Sequence, residues 1–379
     1  MKRPDHRPMR VLPVLEARRD ELEKCAFCPK LCRSACPVSN AEPRETVTPW
    51  GKMSMAYFAA QGDVPLDASF AAPAWACTGC MACRESCDHR NDVASTLFET
   101  RAALMNRGVA PASAGRVVAR FSSHTDATRG AVRKLCGHAA VRSDARDVLL
   151  IGCTYARAAV TEAEHAIEAA SALVRGPVAL AEACCGLPLL HAGATDAFVQ
   201  HAQRFARETG RAERVWVADA GCAQSLRTHY PRVGVTLSAP VELLVERAAR
   251  SLDLLSRVGS SDGAPVRYHD PCQLGRGLGV YEAPRAVLTR ALGRPPDEFD
   301  ASREGAACSG AGGLLPTTMP GVSRDIADAR IDAHEQAGGG RIVTACASSL
   351  LAFRRRGRVP VDDLVTWIAR AARPYRAVD

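Results

Sequence analysis

Several kinds of residue and pattern are scarce in this 379-residue chain, and each scarcity removes a class of protein. Aromatic residues make up 5% of it, too few to interleave with basic side chains as platforms for stacked bases. The formal charge is +8, yet 44 of the 49 basic residues are Arg, spread along the chain rather than gathered into a stripe, so nucleic-acid binding is not expected. Long apolar runs are also missing: DVLLIG and SSLLAF fall far short of the roughly 18–20 residues of a membrane-spanning helix. The basic start MKRPDHRPMRVLPVLEARRD has no apolar core and no small-residue cleavage site, so no secretory signal is read and a cytoplasmic location is expected. No P-loop occurs, and GRGLG at 275–279 lacks the GxGxxG spacing of a dinucleotide-binding turn. The chain is therefore not expected to carry a flavin or nicotinamide of its own.

What the chain has in abundance is cysteine, sixteen in all. In a reducing compartment such a number does not describe a disulfide framework, and patterned spacing there points to metal. The stretch CTGCMACRESC places Cys77, Cys80, Cys83 and Cys87 in C-x2-C-x2-C-x3-C spacing. In ferredoxin runs of this kind the first three thiolates wrap one [4Fe-4S] cluster and the fourth reaches another. A partner loop, CAFCPKLCRSACP, supplies Cys25, Cys28, Cys32 and Cys36, with three residues instead of two between its second and third cysteines. Crossing over, one cluster takes Cys25, Cys28, Cys32 and Cys87, and the other takes Cys77, Cys80, Cys83 and Cys36. Zinc also accepts four thiolates, but its usual spacing is a pair of CxxC units, not triplets with a remote fourth. Lys24, Lys30, Arg33, Lys52, Arg84 and Arg90 flank these loops, as charges that offset anionic clusters or as ordinary solvated side chains.

The texture of the sequence changes near residue 140. Before it, RVLPVLEARRDELEK, WGKMSMAYFAAQG and NDVASTLFETRAALMNRG carry helical periodicity and no strand pattern. From Asp147 onward short apolar strands (DVLLIG, PVALAE, RVWVADA) alternate with helices, including one through PVELLVERAARSL, and such alternation argues parallel sheets covered by helices. A linker is read at VGSSDGAP, 258–265, after which the pattern restarts with strands PVRYHD and RIVTAC and a final helix VDDLVTWIARAA. The expected organisation is an α-helical ferredoxin-like domain with two [4Fe-4S] loops over 1–140, followed by two pseudo-repeated α/β domains with parallel sheets over 147–257 and 265–379.

Cysteine spacing sharpens the repeat. Cys185 precedes Cys222 by 37 positions, and Ser309 precedes Cys346 by 37, so the CCG of EACCGLP is aligned with the CSG of AACSGAGG. Cys153, Cys222 and Cys346 fall at or just after the carboxyl ends of expected strands, and Cys272 follows one, which is the edge where parallel sheets collect ligands. His269 and Asp270 beside Cys272, and His191 near the CCG, suit hydrogen bonds behind a site or a satisfied core. Cys136 fits neither pattern.

Two ferredoxin-type loops, two copies of a C, CCG, C pattern, and the stretches YHDPCQLGRGLGVYEAPR and CSGAGG together resemble the CCG (cysteine-rich) domain iron–sulfur proteins over nearly the whole chain. That family includes iron–sulfur subunits of glycolate oxidase, lactate utilisation and anaerobic glycerol-3-phosphate dehydrogenase, and catalytic subunits of heterodisulfide reductase. Full motifs of five cysteines in the last of these hold noncubane clusters. Here the first copy matches through Cys153, Cys184, Cys185 and Cys222, with Ser225 in the fifth place. The second matches through Cys272, Cys308 and Cys346, with Ser309 and Ser349 where thiols would stand. The resemblance implies an electron-transfer subunit with two [4Fe-4S] clusters and a further iron–sulfur cluster or zinc in the CCG region. Electrons would come from a flavin-containing dehydrogenase subunit and leave to a membrane quinone, a membrane-anchored partner or another protein. The alternative is a heterodisulfide-reductase-like catalytic subunit.

Overall fold

A computed structural model describes residues 12–30, 32–260 and 263–374. The basic start at 1–11, and Ser261 and Asp262 of the expected linker, lie outside the described residues. The chain divides into two compact units. The first takes the chain up to Ala119 together with Pro188–Thr195 and Gly310–Ile326. The second takes Arg120–Leu187, Asp196–Ser309 and the chain from Ala327 onward.

The first unit has no strand among its described residues. Its main helices are Arg19–Ala26, Pro49–Gln61, Ala68–Trp75, Val93–Asn106 and Ala112–Ala119. Their starts follow local chemistry. Thr48 accepts from Gly51 N–H with Pro49 in the first turn, Asp67 accepts from Ser69 and Phe70 N–H, and Asp92 accepts from Ser95 N–H. Leu22, Met53, Trp75, Leu97 and Leu104 meet in the apolar core of this unit.

At its centre lies Arg101, fully buried, whose guanidinium donates to four backbone carbonyls: Ala74 O (2.9 Å), Cys77 O (2.8 Å), His191 O (2.8 Å) and Gly313 O (3.0 Å). One side chain thus ties the second cysteine loop to the two returning segments of the unit. Gly313 sits at φ 60° and Gly312 beside it, and a Cβ on either would overlap the carbonyls of Cys77 or Thr78. The last two glycines of AACSGAGG permit that close approach.

In the second unit, β1 (Asp147–Leu150), β2 (Ala179–Leu180), β3 (Arg214–Val217) and β4 (Val241–Leu243) form a parallel sheet in the order β2-β1-β3-β4. A second parallel sheet has the order β5 (Val266–His269), β6 (Arg341–Thr344), β7 (Val361–Asp363). The two share one core, in which Leu149, Ile151 and Trp216 meet Ile342, Leu350, Phe353 and Val365. Helix Val160–Val174 presents Ala163, Ala166 and Ala170, all without exposed surface, and these short side chains let helix Leu364–Ala371 pack closely.

Two expected helices begin differently. PVELLVERAARSL and VDDLVTWIARAA each open with a three-residue strand, β4 and β7, before turning helical at Leu244 and Leu364. Three residues are too few to display a period of two, and pairing with β3 and β6 is what makes these segments extended. Helix Phe121–Leu135, not anticipated from the sequence, packs on helix Cys153–Ala158 of this unit.

Two carboxylates link the copies. Asp219 accepts from Gly221 and Cys222 N–H in its own copy and from Ala347 N–H (3.0 Å) at the start of a helix in the other. Asp363 accepts from Tyr155 Oη–H (2.6 Å) across the copies and from Val365 N–H (3.0 Å) in its own helix. Burial pushes Asp363 up to about 7, against which the Tyr155 and Val365 hydrogen bonds work.

Arg101→Met leaves four buried carbonyls without their donor and should destabilise the chain by about 3 kcal/mol or more in urea unfolding under anaerobic conditions, with Arg101→Lys intermediate. For Asp363 the folded-state pKa lies above the unfolded one. The folded chain therefore binds the extra proton between about pH 4 and 7, and stability falls as pH rises through that window. Asp363→Asn should flatten its share of the dependence, at most about 1.4 kcal/mol per pH unit. Unfolding curves at pH 5 and pH 8 should converge for the variant relative to wild type, and an unchanged slope would contradict the assignment.

Candidate metal centres

The first unit holds eight of the cysteines. Helix Arg19–Ala26 carries Cys25 in its last turn, with the sulfur turned inward. Asn91 ahead of helix Val93–Asn106 donates its amide to Cys25 Sγ (2.9 Å) and to Glu21 O (2.8 Å). Burial pushes the Cys25 thiol up to about 12, opposed by the Asn91 hydrogen bond and reinforced by the nearby sulfurs of Cys32, Cys87 and Cys28. Cys32 is pushed up to about 11 by burial, then by Cys87 and Cys28. Four sulfurs, three from the first loop and Cys87 from the second, therefore act on one another.

A small pocket is lined by Cys36, Cys77, Cys80 and Cys83, together with Lys52, Pro37, Val93 and Ala94. It gathers three thiols of the second loop and the last thiol of the first. Met81, at φ 60°, and Gly79, at φ 69°, give the second loop the left-handed turns it needs. Lys52 is 2% exposed and donates from Nζ to Cys36 Sγ at 3.4 Å. Burial opposes its ammonium, but negative charge on Cys36, Cys77 and Cys83 outweighs that, so its pKa is raised. A lysine buried among sulfurs with no carboxylate in the cavity lining suits an anionic thiolate centre. Of the six flanking cations singled out in the sequence, Lys52 is the buried one. Lys24 pairs with Asp20, Lys30 and Arg33 with Glu45, and Arg84 and Arg90 with Glu85.

In the second unit, Cys153, Cys184, Cys185 and Cys222 form a chain of sulfurs, with Cys153 partly exposed and the other three buried. Cys153 begins a helix after β1, and Gly152 before it sits at φ 102°, where a Cβ would press on Asp219 and Cys222 Sγ. Cys184 and Cys185 follow β2. The Cys184 carbonyl accepts from His201 Nε2–H (2.7 Å), and the Cys185 carbonyl accepts from Ser225 Oγ–H and Tyr230 Oη–H (both 3.1 Å). Cys222 lies in the first turn of the helix capped by Asp219. Cys184 Sγ–H donates to Cys153 Sγ at 3.8 Å, and that hydrogen bond pulls Cys153 down to about 5. Cys185 is lowered by hydrogen bonds from Cys184 and then Cys222, both of which are raised.

His124, unremarked in the sequence, belongs to this group: its ring nitrogen and the sulfurs of Cys153 and Cys184 all lie within 4.8 Å of one another. No spacing signal could have found it, because it stands 29 residues before Cys153 in a helix of ordinary composition. Ser225, in the fifth motif position, opens a π-helical turn, and its hydroxyl is engaged with the Cys185 carbonyl.

The second copy is built differently. Cys346 stands just before helix Ala347–Arg354, and burial pushes its thiol up to about 12. Cys308 is buried and Cys272 partly exposed. Ser309 Oγ and Ser349 Oγ, which stand where thiols would be, hydrogen-bond each other at 2.8 Å. His269 is buried edge-on against Phe353, with Arg330 donating to its Nδ1 (3.3 Å), and Asp270 forms a buried ion pair with Arg285 (2.8 Å). His191 packs on Phe98 in the first unit, and Cys136 is exposed.

Comparison with known proteins matches residues 21–91 to a 4Fe-4S dicluster domain and residues 148–227 and 266–354 to a cysteine-rich domain. The chain is 25% identical to a subunit of the dihydromethanophenazine:CoB–CoM heterodisulfide reductase of Methanosarcina barkeri, over 93% of this chain and 94% of that one. It is 25% identical to a subunit of the fumarate reductase (CoM/CoB) of Methanothermobacter marburgensis, over 86% of this chain and 66% of the other. It is 24% identical to a lactate utilization protein A of Bacillus pumilus, over 45% of this chain and 74% of that one. No described helix is long and apolar enough to cross a membrane. With a helical dicluster region followed by two matched cysteine-rich segments on parallel sheets, the chain belongs to the CCG (cysteine-rich) domain iron–sulfur proteins.

Proposed function

We propose that the chain is the electron-transferring subunit of an oxidoreductase complex, with two [4Fe-4S] clusters in the first unit and a further metal centre at Cys153, Cys184, Cys185 and Cys222. The observation that carries this reading is the cavity in which Cys36 of one loop joins Cys77, Cys80 and Cys83 of the other. A ligand set completed from the other loop is the arrangement of a two-cluster ferredoxin. Cys25, Cys28, Cys32 and Cys87 make the reciprocal set. Bound clusters of this kind supply one-electron exchange without proton transfer.

The chain's own residues set the conditions for that exchange. Cys32 and Cys36 flank the short turn Arg33–Ala35, which keeps the two sets adjacent. Lys52 supplies a buried positive charge to the inner set, and Asn91 donates to a sulfur of the outer one. Both stabilise the more negative, reduced state. The second cysteine-rich site offers three thiols, with Ser309 and Ser349 satisfied by each other, and it is the poorer metal site. Electrons enter from a flavin-containing dehydrogenase subunit and leave to a quinone, reached through a partner on the inner face of the membrane, or to a protein acceptor. The reduction of a disulfide at the first cysteine-rich site is the second reading. It is favoured by full-length similarity to a heterodisulfide reductase subunit and by the close Cys153–Cys184 contact.

Anaerobically purified chain should carry eight irons for the first unit plus metal at the first cysteine-rich site. Cys28→Ser and Cys80→Ser should each remove the electron paramagnetic resonance signal of one cluster. Cys185→Ser should remove metal from the first cysteine-rich site, while Cys308→Ser changes the metal content little. Persistence of both cluster signals in Cys28→Ser or Cys80→Ser would sink the crossed assignment. The pure chain should accept electrons from a reduced viologen dye but should not oxidise glycolate, lactate or glycerol 3-phosphate, and oxidation of any of these by flavin-free protein would overturn the subunit reading.

A further inference from the structure

Resting on the reading of the first cysteine-rich site as a metal centre, we propose that His124 is one of its ligands. The imidazole then gives nitrogen to the metal atom that Cys153 and Cys184 share, and the site is a mixed sulfur–nitrogen one rather than all-thiolate.

The geometry carries this. Cys153 and Cys184 Sγ are 3.8 Å apart. Two thiolates bonded at ~2.3 Å to one tetrahedral metal stand about 3.8 Å apart, whereas thiolates on different corners of a cubane are farther separated. These two sulfurs are thus placed for a single metal atom, and the His124 ring nitrogen lies within 4.8 Å of both. Nδ1 of His124 faces Arg157, so the ring meets Cys153 through its buried Nε2. Cys185 and Cys222, linked to Cys184 by hydrogen bonds, belong to the same sulfur set and hold the rest of the centre.

Two further features make His124 a built part of the site. Its ring stacks on Phe121 (centroids 5.8 Å apart), and Phe121 in turn meets His201 edge-on (5.1 Å), the residue that donates to the Cys184 carbonyl. Ser225, which occupies the fifth motif position, is turned to the Cys185 carbonyl and contributes no ligand. The donor lost at 225 is thereby supplied at 124, from a helix outside the cysteine-rich segments that the comparison matches.

Arg157 Nη1 lies 2.7 Å from His124 Nδ1. A guanidinium can only donate, so the metal-free ring accepts at Nδ1 and carries its proton on Nε2. Coordination through Nε2 moves that proton to Nδ1, the ring stays neutral, and the exposed Arg157 side chain turns to water. The metal atom is either a lone Zn2+ ion or one iron of a cluster. Both accept two thiolates and an imidazole.

The test uses the full chain, purified anaerobically and analysed for iron, sulfide and zinc, with Cys184→Ser identifying which metal belongs to this site. If that metal is zinc, X-ray absorption at the zinc edge should show imidazole scattering. If it is iron, pulsed electron paramagnetic resonance should show a ¹⁴N coupling. His124→Ala should abolish the nitrogen signature and make the site metal about tenfold or more easier to remove with a chelator, while the eight irons of the first unit stay. His124→Cys should keep the metal with sulfur-only ligation, which guards against reading a folding defect as loss of a ligand. Metal at this site without a nitrogen signature in wild type, or with the same signature in His124→Ala, overturns His124 as a ligand and leaves the site standing. A wild-type chain with no metal beyond eight irons, unchanged by Cys184→Ser, overturns the underlying reading and the inference with it.

Discussion

Negative charge on buried sulfur is the constraint around which both units are arranged. A thiolate in a low-dielectric interior is costly unless cations or hydrogen-bond donors face it. The chain supplies few of these. Lys52 and Asn91 each touch one sulfur, and Arg101, pulled down to about 10 by burial with the Cys77 sulfur working against that, holds the loop carrying Cys77 in place through its carbonyl. The rest of the charge is left to be neutralised by metal, and without it the thiols of Cys25 and Cys32 are pushed far up. Folding and metal loading are coupled for that reason.

The two cysteine-rich copies show how a duplicated framework diverges. Both place cysteines after the carboxyl ends of parallel strands, and Asp219 reaches from one copy to the helix start of the other. In the first copy the paired thiols of Cys184 and Cys185 are anchored by His201, Ser225 and Tyr230 through their carbonyls, which leaves the sulfurs turned to one another. In the second copy the two serines close on each other. A hydroxyl satisfied by another hydroxyl has no need of a cation, and its proton is held far more tightly than a thiol's. Ser309 and Ser349 thus hold each other in the positions that align with thiols of the motif.

Much of the architecture was legible from pattern. The helices over 49–61 and 93–106 and the strands β1, β3, β5 and β6 follow from apolar patterns that burial imposes locally. Strands β4 and β7 did not, since three residues carry no period, and helix Phe121–Leu135 lies in a stretch from which no element had been read. Among site residues, the cysteines announced themselves because metal ligation by short loops needs fixed spacing. Lys52 was one of six flanking cations, and only its burial separates it from the five others, all of which are paired to carboxylates.

The spacing of the cysteines, the loops that bear them and the two cysteine-rich segments were legible in the order of residues alone, since these are properties of near neighbours and of register along the chain. Packing in three dimensions settled which cysteines share a cavity, that Arg101 would bind carbonyls of three separate segments, that Ser309 would find Ser349, and that His124 would stand beside Cys153 and Cys184. Each of these joins groups far apart in the chain. Such a meeting is fixed by how helices and sheets fit against one another, and that fit leaves no periodic trace in the order of the residues.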